Sequence, residues 1–321
     1  MIAASKKTRI GLIELGSRSA RYLVMDIQFR VQHFEAVQIK TVLHGLDPTA
    51  LREGDVDTIN RLVTTMKTDL AAHKCDIEYV YGTELCRVIE SQRPGELVNF
   101  LRVLSSGHEA AAAWASAFLC LDSDEQEQSL TVVDLGNGST QVARGSWTGA
   151  KIAGLKTASV PIGSSLLMNH YVQNSAGFAR FAEDQSALVE RELHQAGIEL
   201  ERSGSLYLVG GVATKIGWLN VRRHPSDVYE PERVNGVAVP LPILDEFFAR
   251  AHSEYRQSPE KVVRLIDARE GSEREAVRVI SGSAYLAKLV RVLHTTSTPR
   301  VTGYGVRHGI AFLLLHGLLA A

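Results

Sequence analysis

Ile13-Glu14-Leu15-Gly16-Ser17-Arg18-Ser19 is echoed by Val133-Asp134-Leu135-Gly136-Asn137-Gly138-Ser139, an offset of 120 residues counted from Ile13 to Val133. An aliphatic–acid–Leu–Gly–x–x–Ser pattern repeated at that distance is far too widely spaced for a solenoid. It fits a duplicated domain. Each copy reads as a strand, a tight turn and a second strand: Arg9 to Glu14 and Leu130 to Asp134 are apolar and β-rich, Gly and Ser break them, and Ala20 to Ile27 and Gln141 to Gly145 resume extended character. A carboxylate therefore ends each first strand beside a turn rich in backbone N–H groups and hydroxyls, the kind of turn that forms an anion-binding nest.

Outside the hairpins, strands alternate with helices. After a candidate strand Phe34 to Leu43, the run from Pro48 to His73 carries Ile59, Leu62, Val63, Met66 and Leu70 at helical spacing, with a start at Asp55 or Asp57. A strand Glu78 to Gly82, helical Glu84 to Ser91, a further helix opened by Pro94, a strand Arg102 to Leu104 and an Ala-rich helix Glu109 to Leu121 follow. The acidic stretch Asp122 to Gln128 reads as a domain boundary. The second half repeats the plan with more helix, including a strand Ser205 to Val209 that breaks at Gly210-Gly211, and closes on an apolar helix Val306 to Leu319. The expected architecture is α/β, two duplicated domains facing a central cleft, the first made of residues 1–126 with 306–321 and the second of 127–305.

Composition bounds the function. The 321 residues hold 35 Lys and Arg against 36 Asp and Glu, a net charge of −1, which gives no strongly basic field for nucleic acid. Cys75, Cys86 and Cys120 lack CxxC spacing, arguing for a reducing cytoplasmic setting and against a zinc site or disulfide framework. The first residues carry no signal-peptide pattern, and no apolar run is long enough for a membrane span. No P-loop, GxGxxG after the first strand, HExxH or GxSxG pattern is present.

Chemistry is expected at the repeated turns. If the two halves face one cleft, Glu14 and Asp134 converge there and hold Mg²⁺ directly or through water, while the turns bind phosphate oxygens. Arg18, Arg21, Arg87 and Arg307 are the candidate phosphate-binding cations, Arg307 standing out for the glycines around it. Gly210-Gly211 lets backbone approach a ligand and opens a helix N-terminus to an anion.

These segments resemble the exopolyphosphatase and guanosine pentaphosphate phosphohydrolase family (Ppx/GppA) of the sugar kinase, heat-shock protein 70 and actin superfamily. Its first signature, D-x-G-S-N-S-x-R, is similar to Glu14 through Arg21, and its second, D-I-G-G-G-S-T-E, to Asp134 through Gln141. Its T-x-A-x-R segment looks like Thr83 to Arg87, its S-x-P-x-G segment like Ser159 to Gly163, its Gly-Gly turn like Gly210 to Thr214 and its closing Y-G-L-R-E-G like Tyr304 to Gly309. The resemblance implies ribonuclease H-like (actin-like ATPase) domains and Mg²⁺-dependent hydrolysis of a phosphoanhydride bond in inorganic polyphosphate or guanosine pentaphosphate. It also implies phosphate contacts from Ser17, Arg18, Ser19, Arg21, Arg87, Gly136, Asn137, Gly138, Ser139, Thr140, Gly210, Gly211 and Arg307. Dimers are common among such relatives, and Val306 to Leu319 is suited to core or interface.

The departures bear on catalysis. Glu14 stands where the family has Asp, placing the carboxylate about 1.5 Å further out. Gln141 stands where it has Glu, and cannot act as a base. The family's presumed general base aligns with Ala110, and Glu109, one residue earlier, is expected to point about 100° away on a helix unless the start of the helix is rewound. Two functions follow from this pattern: a phosphohydrolase in which Glu109 or a water held by Gln141 replaces the base, or a degenerate member that binds a polyphosphorylated ligand as a sensor or regulator. A sugar or acetate kinase is disfavoured by the Ser17-Arg18-Ser19 turn and the Tyr304 to Gly309 terminus.

Overall fold

Both acid–Leu–Gly segments end the first strand of a hairpin, and both hairpins start a sheet of the same strand order. The structure, a computed structural model, describes residues 7–17, 19–28, 33–43, 51–121, 125–126, 128–198, 204–224, 227, 229–266, 272–293 and 297–319. In the first sheet β1 (Lys7–Leu15), β2 (Ser19–Gln28) and β3 (His33–Leu43) form an antiparallel meander. Strands β4 (Ile77–Gly82) and β5 (Arg102–Val103) add in parallel, giving the order β3-β2-β1-β4-β5. In the second, β6 (Leu130–Leu135), β7 (Thr140–Trp147) and β8 (Ile152–Val160) form the meander. β9 (Ser205–Val209) and β11 (Arg300–Val301) add in parallel, and a two-residue β10 (Val237–Ala238) pairs outside β11. The order β10-β11-β9-β6-β7-β8 repeats the first sheet plus one strand. This is the ribonuclease H-like arrangement twice over.

By packing, the chain divides into unit 1 (Met1–Glu109 and Ile310–Ala321) and unit 2 (Ala110–Gly309). The changeovers fall inside α3 (Ser106–Phe118) and α10 (Val306–Leu315), the helices that follow the last parallel strand of each sheet. Each unit has its own core. In unit 1, Ile13 and Leu15 of β1 and Tyr22 and Val24 of β2 pack with α1 (Asp55–Ala71) and α2 (Glu84–Gln92). The helical stripe is as read: Ile59, Val63, Met66 and Leu70 are buried, and Leu62 is partly so. In unit 2, Val133, Leu135 and Val142 face α4 (Ser164–Gln173), α5 (Phe178–Gln195) and α9 (Glu273–Val292). Helix α6 (Gly211–Val221) follows β9, and α7 (Leu241–Gln257) and α8 (Pro259–Ile266) precede α9.

Two expectations fail locally. Pro94 opens no helix: residues 93–100 form turns, and Gly95, at φ +77°, adopts a left-handed conformation that breaks a helical turn at once. Helix α10 stops at Leu315 rather than Leu319, because Gly317, at φ +64°, turns the chain and the Leu318 N–H closes on the Leu313 carbonyl at 2.9 Å. No helix among the described residues is long and apolar enough to cross a membrane.

Candidate functional site

Register carries the acids to equivalent places. Leu15 pairs with Ala20 and Glu14 with Arg21; Leu135 pairs with Thr140 and Asp134 with Gln141. Each turn is closed by one bond of nearly the same length, Gly16 N–H to the Ser19 carbonyl at 2.9 Å and Gly136 N–H to the Ser139 carbonyl at 3.0 Å. Side chains alternate along a strand. Because Ile13, Leu15, Val133 and Leu135 enter the cores, Glu14 and Asp134 project from the opposite sheet faces, each beside the residue across from it. Ser17, Ser19, Asp134, Ser139 and Gln141 are all buried, while Arg18 lies outside the described residues.

The unit 2 turn is held from its carbonyl edge. Ser164 and Ser165 N–H groups, at the start of α4, donate to the Gly136 and Asn137 carbonyls at 2.9 Å each, and Ser164 Oγ donates to Asn137 Oδ1. A trans peptide points its N–H opposite its C=O. With no cis bond among the described residues, the Asn137 and Gly138 N–H groups are directed away from α4, as an anion nest needs. Gly163 is fixed by this contact, since a Cβ there would stand 2.2 Å from the Asn137 carbonyl oxygen. Gly210, at φ +98°, lies against the acid: a Cβ would meet the Leu135 carbonyl at 2.4 Å and Asp134 Oδ1 at 3.0 Å. Its neighbour Gly211 opens α6 beside the Arg278 guanidinium, which is buried and paired to Glu275 at 2.8 and 2.5 Å. Thr140 is turned the other way, its hydroxyl donating to the Ile162 carbonyl at 2.5 Å.

Unit 1 gathers a second set of groups. Arg87 Nη1 donates to Glu109 Oε2 at 2.8 Å and to the Leu104 carbonyl at 3.0 Å. Burial holds the Glu109 carboxyl above the ordinary glutamate range; Arg87 opposes this, while the negative charges of Glu14 and Glu84 add to it. Glu109 therefore looks toward Arg87 and the Glu14 side. Its helix starts regularly, with Glu109 N–H on the Ser105 carbonyl at 3.0 Å, so reaching Arg87 needs no rewinding. Ala110, the position aligned with the family base, is fully buried and apolar. Glu84 was not singled out by the sequence reading. It sits in the first turn of α2, accepts a long bond from Ser17 Oγ at 3.4 Å, and is also raised chiefly by burial. An acid directly after the strand-to-helix turn was the available signal; a buried arginine 67 positions beyond Gly211, at Arg278, left none. Arg307 lies half-buried in the first turn of α10, next to His308, whose pKa burial and the neighbouring Arg307 push down to about 3. The glycine after them is a packing necessity, because a Cβ on Gly309 would stand 1.7 Å from the Ala112 carbonyl oxygen.

The donors suit Mg²⁺. Among the described residues no three His, Cys, Asp or Glu side chains form a ready-made cage. Mg²⁺ is commonly held by one or two carboxylates, with waters and substrate phosphates completing its octahedron. Asp134, beside the unpartnered buried Gln141 Oε1, offers such an oxygen set in unit 2, and Glu14 offers a carboxylate in unit 1.

Comparison with known proteins places this arrangement. No protein-family model and no curated protein matches the chain. Among solved structures, it is similar to the Aquifex aeolicus Ppx/GppA family member, with a TM-score of 0.72 at 18% identity over 98% of this chain and 100% of the other. It is also similar to an exopolyphosphatase from Cytophaga hutchinsonii, with a TM-score of 0.71 at 16% identity over 96% and 98%. The fold is thus that of a two-domain α/β class with a duplicated mixed sheet. Within that class it is the Ppx/GppA fold over essentially the whole chain.

Proposed function

We propose that the protein is a phosphohydrolase of the Ppx/GppA type that cleaves phosphoanhydride bonds of inorganic polyphosphate or guanosine pentaphosphate. The observation that carries the reading is the doubled hairpin, with Glu14 and Asp134 in the same register beside turns closed by the same bond. In unit 2 the Asn137 and Gly138 amides bind phosphate oxygens, and Gly210 lets backbone come close to Asp134. In unit 1 Arg87 neutralises phosphate charge, and Glu109 takes the proton of the attacking water. Glu14 in unit 1 and Asp134 in unit 2 are the carboxylates that would hold Mg²⁺, which would supply charge neutralisation on the phosphate chain.

Gln141 and Ala110 favour one second reading, a member that binds a polyphosphorylated ligand without turning it over. Measuring phosphate release from polyphosphate and from guanosine pentaphosphate with Mg²⁺, against an Asp134→Ala control, separates the two. Release well above the control supports the hydrolase. No release with calorimetric binding of either ligand supports the binder, and neither release nor binding ends both.

A further inference from the structure

We infer that Gln141 is a positioning residue that turns the Ser139 hydroxyl hydrogen toward a bound phosphate oxygen, an inference that rests on the phosphate-binding reading of the unit 2 turn. Ser139 and Gln141 are both buried, and Gln141 Nε2 lies 2.6 Å from Ser139 Oγ. The other end of the carboxamide, Oε1, is buried with no partner. That orientation leaves Oε1 and one N–H hydrogen unmet, whereas the flipped amide would leave both buried N–H hydrogens unmet, and an orphaned N–H is the less tolerated of the two. Gln141 therefore donates and Ser139 accepts.

The direction of this bond decides what the serine can do. A hydroxyl has one hydrogen and two lone pairs. With a lone pair taken by the Gln141 N–H, the Ser139 hydrogen is aimed elsewhere, and among the described residues nothing accepts it. Ser139 closes the turn whose Asn137 and Gly138 N–H groups point away from α4, so the hydrogen adds a donor to that nest. A carboxylate at position 141 would reverse the bond: the serine would give its hydrogen to the acid, and a negative charge would face the phosphate. Unit 1 follows the same rule. Two residues after Ser19, on the same strand face and opposite Glu14, stands Arg21, a side chain that can only donate.

A binding cycle tests this on the full chain, using inorganic tripolyphosphate with Mg²⁺ in calorimetry and thermal melts to check folding. Ser139→Ala is expected to weaken binding roughly tenfold or more, as for a lost hydrogen bond to a charged group. Gln141→Glu also weakens it, and adding Ser139→Ala to Gln141→Glu costs less than about twofold further, because that serine has already lost its role. If Gln141→Glu does not fold, Gln141→Met, uncharged and similar in size, is expected to show the same non-additivity. Additive losses overturn the positioning role while leaving phosphate binding intact. A wild-type protein that does not bind tripolyphosphate overturns the phosphate-binding reading and this inference with it.

Discussion

Glu109 and Arg87 form a partly buried ion pair 22 positions apart in sequence, and their pairing changes what each is expected to do. A carboxylate drawn above its ordinary pKa by burial is better matched to taking a proton near neutral pH. Under the hydrolase reading, Glu109→Gln lowers phosphate release from polyphosphate about 10²–10⁴-fold. The sign follows from the base: it works ionised, so wild-type activity falls as pH drops through a limb above 4.5, and Glu109→Gln removes that limb from its residual activity. A pH profile of kcat/KM reads both. Arg87→Ala leaves the Glu109 carboxylate without its cation and is expected to cost about 1–3 kcal/mol in urea unfolding, with part of the loss restored in Arg87→Ala/Glu109→Gln, where no charge is stranded. The pairing was invisible in sequence because the reading of Glu109 rested on alignment register. What governs its direction is how β5 and α3 bring position 109 to α2.

At the scale of elements, the hairpins were legible and their surroundings less so. An acid–Leu–Gly–x–x–Ser segment carries its strand, its turn and its register together, so Glu14 opposite Arg21 and Asp134 opposite Gln141 follow from counting back across the turn. The two-residue β10 carries too little pattern to be read, and the Pro94 turn depends on a left-handed Gly95 that sequence shows only as a glycine. Away from the site, the β1–β2 ladder is fastened by a pair that register also explains. Arg9 stands opposite Asp26 and bonds it at 2.7 and 2.9 Å, with Lys7 at 3.1 Å. The Arg9 bond holds the Asp26 pKa down to about 2 from 3.8. A depressed carboxyl stabilises fully above its unfolded value, and that stabilisation is lost as pH falls from about 3.8 through about 2. Asp26→Asn is therefore expected to melt below wild type at pH 7 and to converge with it near pH 2; a Tm gap unchanged between those two pH values would refute the assignment.

For the whole molecule, the duplication makes the two cores a matched pair with different fillings. Unit 1 packs its sheet mainly with α1 and α2, and unit 2 packs the equivalent sheet face with α4, α5 and α9, a heavier layer built around one long buried helix. Among the described residues, these two cores share none. Stability is then expected to answer locally to a cavity. Ile59→Ala in α1 and Leu286→Ala in α9 each remove a fully buried side chain, a change that typically costs about 2–5 kcal/mol. Native-state hydrogen exchange distinguishes where that cost falls, because protection reports the free energy of the opening that exposes each amide. Ile59→Ala should speed exchange in β1, β2 and α1 while leaving β6, β9 and α9 near wild-type protection, and Leu286→Ala should do the reverse. Equal losses in both sheets from either variant would mean that the duplicated halves open as one cooperative unit, and the separate cores would then be a matter of packing rather than of stability.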